Sequence, residues 1–93
     1  MARFTVRVEL HDAESEEYEV LHAAMEARGF SRFIADTNGI LYHLPWAEYN
    51  RDAQLTRKAI LKSARQAADQ TGKKYCVLVT QSAGRTWHNL LPA

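Results

Sequence analysis

Three clusters of side chains in this sequence could do chemistry. The first is His11-Asp12, an imidazole beside a carboxylate. Such a pair can shuttle a proton near neutral pH, and the carboxylate can hold a water or a metal ion. Asp12, or Ser15 after it, can equally cap a following helix, leaving His11 in solvent. The second is the arginine set Arg3, Arg7, Arg28 and Arg32. Guanidinium groups on an open surface contact phosphates and stack on bases; the same groups can balance Glu9 and Asp36 across strands. The third is Arg85-Thr86-Trp87-His88, which can stack on and pair with a nucleotide, or form an extra strand or a dimer arm anchored by Trp87. His22 and His43 read as structural histidines with local partners. Cys76, within an apolar run, reads as a small core residue.

Several chemistries are excluded. There is no phosphate loop, no dinucleotide glycine fingerprint, no helical histidine pair and no nucleophile elbow. A single cysteine allows neither an internal disulfide nor a cysteine metal cage. Hydrophobic residues at 46% and charged residues at 25% fit a folded domain, not disorder. The first residues alternate charge and apolar character without an apolar leader, and no stretch reaches transmembrane length. A cytosolic protein without membrane contact is the expectation. The net charge of +1 hides an asymmetry: residues 1–30 carry three Arg against seven Asp and Glu, whereas residues 31–93 carry nine Lys and Arg against four acids.

The elements that must position these groups follow from periodicity. Arg3–Leu10 alternates, with Phe4, Val6, Val8 and Leu10 on one side and Arg3, Thr5, Arg7 and Glu9 on the other, which predicts a strand with one buried face. Tyr18, Leu21, His22 and Met25 recur at helical spacing, and Gly29 suits a left-handed cap, so a helix spans about 14–28. Ser31–Asp36, Asn38-Gly39 and Ile40–Leu44 read as a hairpin, with Pro45 ending the return strand. Residues 45–55 read as a connection. Thr56 caps a second helix over about 57–71, with Ala59 or Ile60, Leu61, Ala64, Ala67 and Ala68 inward and Gly72 ending it. Lys74–Thr80, densely apolar, reads as a central strand, and about 82–93 as a C-terminal arm. The order β-α-β-β-α-β predicts a single α+β domain over 1–93. Its expected form is a ferredoxin-like two-layer sandwich, an antiparallel four-stranded sheet with both helices on one face. Its other face, open or covered by Trp46, Tyr49 and Trp87, and its free edges invite homodimerisation or docking of a protein partner.

The segment Gly29-Phe-Ser-Arg-Phe-Ile-Ala-Asp36, followed by Gly39-Ile-Leu-Tyr-His-Leu44, resembles the GhoS family, as does the first strand running into Asp12. That family includes a type V antitoxin. The resemblance implies a fold like that of the small CRISPR-associated nucleases (Cas2) and an endoribonuclease acting on single-stranded mRNA in a toxin–antitoxin setting. It implies Asp12, with His11, as catalytic or divalent-metal-holding; His11 departs from the aromatic residue usual there. Arg3, Arg7, Arg28, Arg32, Arg85 and Trp87 are the expected RNA contacts. A non-catalytic dimeric module, such as a small inhibitor of phage or mobile-element type, is the alternative.

Overall fold

A computed structural model describes residues 1–93. The elements run β1 (Ala2–Leu10), α1 (Ser15–Glu26), β2 (Phe33–Ala35), β3 (Leu41–His43), β4 (Glu48–Ala53), α2 (Arg57–Asp69) and β5 (Tyr75–Gln81). They form two sheets, not the single four-stranded sheet expected from the sequence: a three-stranded sheet in the order β4-β1-β5 and a two-stranded ribbon, β2-β3. Three physical causes account for the difference.

The first is that the expected connection contains β4. Glu48–Ala53 pairs antiparallel with β1, Val6 lying opposite Tyr49 and Phe4 opposite Arg51. The inward set is therefore Tyr49, Arg51 and Ala53, which disguises the alternation. Arg51 can serve there because its guanidinium lies 5.1 Å over the Phe30 ring and donates to the Ser63 hydroxyl at 3.5 Å.

The second is that the hairpin is peeled away. Its turn forms where Asn38-Gly39 predicts it: Gly39 has φ +80°, and the Asp36 carboxylate accepts from the Asn38 and Ile40 amides at 2.8 and 3.0 Å. The ribbon touches the larger sheet through one isolated bridge, in which Ser31 and Asn50 exchange two 2.7 Å bonds.

The third concerns β5, which is an edge strand rather than a central one; β1 is central. Cys76 lies on the face away from the helices, beside Glu9, and is exposed instead of buried in the core. The strand's dense apolar run comprises Tyr75, Val77 and Val79 toward the helices and Cys76, Leu78 and Thr80 away from them, so density alone did not mean burial on both sides.

Both helices pack on one face of the larger sheet. The core joins Phe4, Val6, Val8 and Leu10 of β1 to Leu21, Ala24 and Met25 of α1 and to Ile60, Ala64, Ala67 and Ala68 of α2. The alanines let α2 sit close to the sheet. Helix α1 starts within one residue of the expected position, but its cap is Glu14: Asp12 has φ +52°, and Glu17 accepts from the Glu14 amide at 2.9 Å. Thr56 caps α2 as expected, accepting from the Ala59 amide at 3.1 Å. No helix is long and apolar enough to cross a membrane.

Candidate nucleic-acid interface

The face of the larger sheet opposite the helices carries Arg3, Thr5, Arg7 and Glu9 in its middle row. Cross-strand partners share a face, so Glu48, Asn50 and Asp52 flank this row on one side and Cys76, Leu78 and Thr80 on the other. After β5 the chain turns back over this face. The Ser82 amide bonds to the Arg3 carbonyl at 2.8 Å, and the last residues join the ribbon: His43 N–H donates to Leu91 at 2.8 Å and Ala93 N–H to Leu41 at 3.0 Å. The end of the arm is thus tied to β3 by an isolated antiparallel bridge between Tyr42 and Pro92.

Arg85 is the pivot of this arrangement. Its Nη1 donates to Asn50 Oδ1 at 2.8 Å and to Thr5 Oγ1 at 3.4 Å. Both acceptors are neutral, and no carboxylate lies within ion-pair distance. The side chain is partly buried. Desolvation pulls its pKa down, the neighbouring Arg3 adds to that, and Asp52 opposes it. The result is a guanidinium anchored by two neutral acceptors, with Asp52 acting on it only from beyond ion-pair distance. It lines two adjoining cavities. The larger, about 540 Å³, also takes in Thr5, Glu48, Thr80, Trp87 and His88. The smaller, about 260 Å³, has Arg3, Asn50 and Asp52 in its wall. Trp87 packs at a tilt against Tyr42 of the ribbon, centroids 5.5 Å apart, which leaves an aromatic anchor one residue beyond the cation's neighbour.

The other expected site residues lie elsewhere. Arg3 and Arg7 share the open face, but Arg3 pairs with Asp52 at 3.4 Å, and Arg7 with Glu9 at 3.3 Å and Glu48 at 3.5 Å. Arg28 reaches α2 on the helix side, donating to Gln66 at 2.7 Å. Arg32 lies 5.4 Å over Trp46, itself packed on His22 and Tyr18 of α1. His11 and Asp12 are exposed at the far end of β1, seven residues along from Thr5, roughly 23 Å at strand rise. No group of three or more His, Cys, Asp or Glu surrounds Asp12 or any other point. The residues present do not fit the divalent metal expected there.

Trp46 and Tyr49 do not cover the open face. Tyr49 is fully buried on the helix side, and its hydroxyl lies 2.6 Å from Nδ1 of His22, the one buried polar residue. Burial lowers the His22 pKa, Arg32 lowers it further, and Glu19 and Glu26 oppose; burial raises that of Tyr49. Nε2 of His22 has no partner.

Sequence reasoning missed Thr5, Asn50, Glu48 and Asp52. The only signal for the last three was the muted alternation of β4. Geometry and electrostatics define a small α+β protein with one covered and one open sheet face, the latter spanned by a cationic, aromatic arm. No protein-family model matches the chain, and no curated protein sequence matches it.

Proposed function

We propose that this protein binds single-stranded RNA on its open sheet face, in a toxin–antitoxin setting such as the resemblance to the GhoS family implies. The observation that carries the reading is Arg85: it is fixed by two neutral acceptors, has no acid partner, and lies in a groove shared with Trp87. A phosphate would take the free guanidinium edge while a base stacks on the indole. Arg3 and Arg7 extend the cationic row; Arg28 and Arg32 contact only an RNA that wraps onto the helix side.

The test is a binding titration with a labelled single-stranded oligonucleotide at two salt concentrations. Arg85→Ala should weaken binding about tenfold, or ~1.4 kcal/mol, and flatten the salt slope by about one ion. Equal affinity for the variant would remove the site.

Cleavage of the bound strand is the further step that the resemblance implies, with His11 and Asp12 in the acid–base roles. Its assay is RNA hydrolysis by the full chain beside Asp12→Ala. Undiminished cleavage by the variant would take this residue out of the reaction.

A second reading, a homodimeric protein-interaction module, is favoured by the bare outer edge of β5 and the 64% exposure of Leu78 in its middle.

A further inference from the structure

Strand β5 is outermost on its side of the sheet, and half of its backbone polar groups find no partner. Two bonds bracket its ladder with β1: His11 N–H to the Lys74 carbonyl and Ser82 N–H to the Arg3 carbonyl, both 2.8 Å. Bonded pairs alternate along an antiparallel ladder. The groups of Cys76, Leu78 and Thr80 therefore face β1, and those of Tyr75, Val77, Val79 and Gln81 face outward. None of these four makes a backbone bond elsewhere. The edge is also undefended. Between Tyr75 and Gln81 there is no proline, no bulge and no charge. Side-chain cover stops at the same line: Val77 and Val79 are only half-buried, while Val6 and Val8 beside them are fully buried.

We propose that this edge pairs with the β5 edge of a second copy of the chain, antiparallel, with the two-fold axis passing at Leu78. The proposal rests on the dimer reading above and is independent of RNA binding. A copy of the same strand is the occupant that the edge itself specifies. Centred on Leu78, every outward-facing residue finds one: Tyr75 meets the partner's Gln81, and Val77 meets the partner's Val79, with each contact repeated by symmetry. A two-residue slip leaves an outward residue unpaired at the end of each strand. Charge selects the direction. The antiparallel arrangement sets Lys73 and Lys74 beside the partner's Ala83 and the partner's Ser82, whereas a parallel one would set lysine beside lysine. Leu78 then packs on its own symmetry mate, and the sheet runs continuously as β4-β1-β5-β5-β1-β4, with both arms on the same side.

The register makes a covalent prediction. Leu78 forms a non-hydrogen-bonded pair with itself, Cα atoms about 4.5 Å apart, inside the range a disulfide spans. Cys76 faces the partner's Thr80 in the same way. Two full-length variants test this under mild oxidation: Cys76→Ser/Leu78→Cys, and Thr80→Cys with Cys76 retained. Both replace solvent-facing side chains, and circular dichroism checks that they fold. Sedimentation equilibrium of the unmodified chain should give twice the 10.6 kDa subunit mass. Both variants should convert to a disulfide-linked dimer, and Leu78→Lys should weaken dimerisation at least tenfold. A monomer at all concentrations overturns this pairing and the dimer reading together. A dimer in which neither variant cross-links overturns the pairing and leaves the dimer reading standing.

Discussion

The two sides of strand β1 have one backbone in common and little else. Toward the helices, Phe4, Val6 and Val8 are 0% exposed and share one core with residues of both helices. Toward the open side, Arg3, Arg7 and Glu9 are exposed and their contacts are ion pairs, each with a half-exposed side chain on at least one end. Apolar burial contributes about 25 cal/mol per Å², whereas exposed pairs contribute little. Stability therefore resides on one side. The other carries charge that contributes little to folding.

The comparison is broken most directly by exchanging the two sides' sensitivities. Phe4→Ala should lose about 3–5 kcal/mol through the cavity it leaves, read as a shift of the urea midpoint. Arg7→Ala, three positions along on the other side, should move that midpoint by less than about 1 kcal/mol. Comparable losses would mean that the open side is also structural.

Next in size is the buried polar pair on the covered side. Tyr49→Phe removes the hydroxyl at 2.6 Å from His22 and leaves both ring nitrogens unpartnered, at a cost of about 1–3 kcal/mol. The same pair predicts a pH dependence. Burial and Arg32 depress the folded-state pKa of His22 below its ordinary 6.5, so between the two values the unfolded chain binds more protons. The stabilisation is complete above pH 6.5 and is lost as pH falls from there toward the folded pKa. Glu19 and Glu26 moderate the loss. In denaturant titrations below pH 6.5, His22→Gln should show a flatter profile than the parent.

How far the fold could be read from the sequence follows the same division. Where burial is one-sided and apolar, as in Phe4-Val6-Val8-Leu10 or the alanine stripe of α2, periodicity located the element and its inward residues. The turn at Asn38-Gly39 and the cap at Thr56 were legible because each depends on one residue's local chemistry. The pattern failed where a polar residue does apolar work. Arg51 hides the inward row of β4, and with that strand unread the sheet acquired the wrong members. The reverse error fell on β5, where apolar side chains on both sides suggested a central strand although only one side is covered. Asp12 and Ser15 both offer a cap for α1 by type, yet Glu14 and Glu17 take that role. The candidate site is half legible: Arg85 and Trp87 stand out by type, but the acceptors of Arg85, Thr5 and Asn50, meet it only through strand pairing and an arm that folds back some 80 residues later.

The smallest effect separates the readings most sharply, because its sign differs between stability and binding. Asp52 pairs with Arg3 at 3.4 Å and is the acid whose charge opposes that of Arg3 on Arg85. Both ends of that pair are about half exposed, so Asp52→Asn should cost less than about 1 kcal/mol in the urea midpoint. The same change removes a negative charge from the wall of the smaller cavity, where Arg3 and Arg85 converge. If a phosphate is bound there, single-stranded RNA should bind the variant several-fold more tightly at low salt, and the gain should fade as salt rises. A purely structural arginine row, kept for charge balance, predicts the same small loss of stability but no gain in affinity at any salt. A titration of parent and variant at two ionic strengths decides between them, and it does so without a substitution that touches the guanidinium itself.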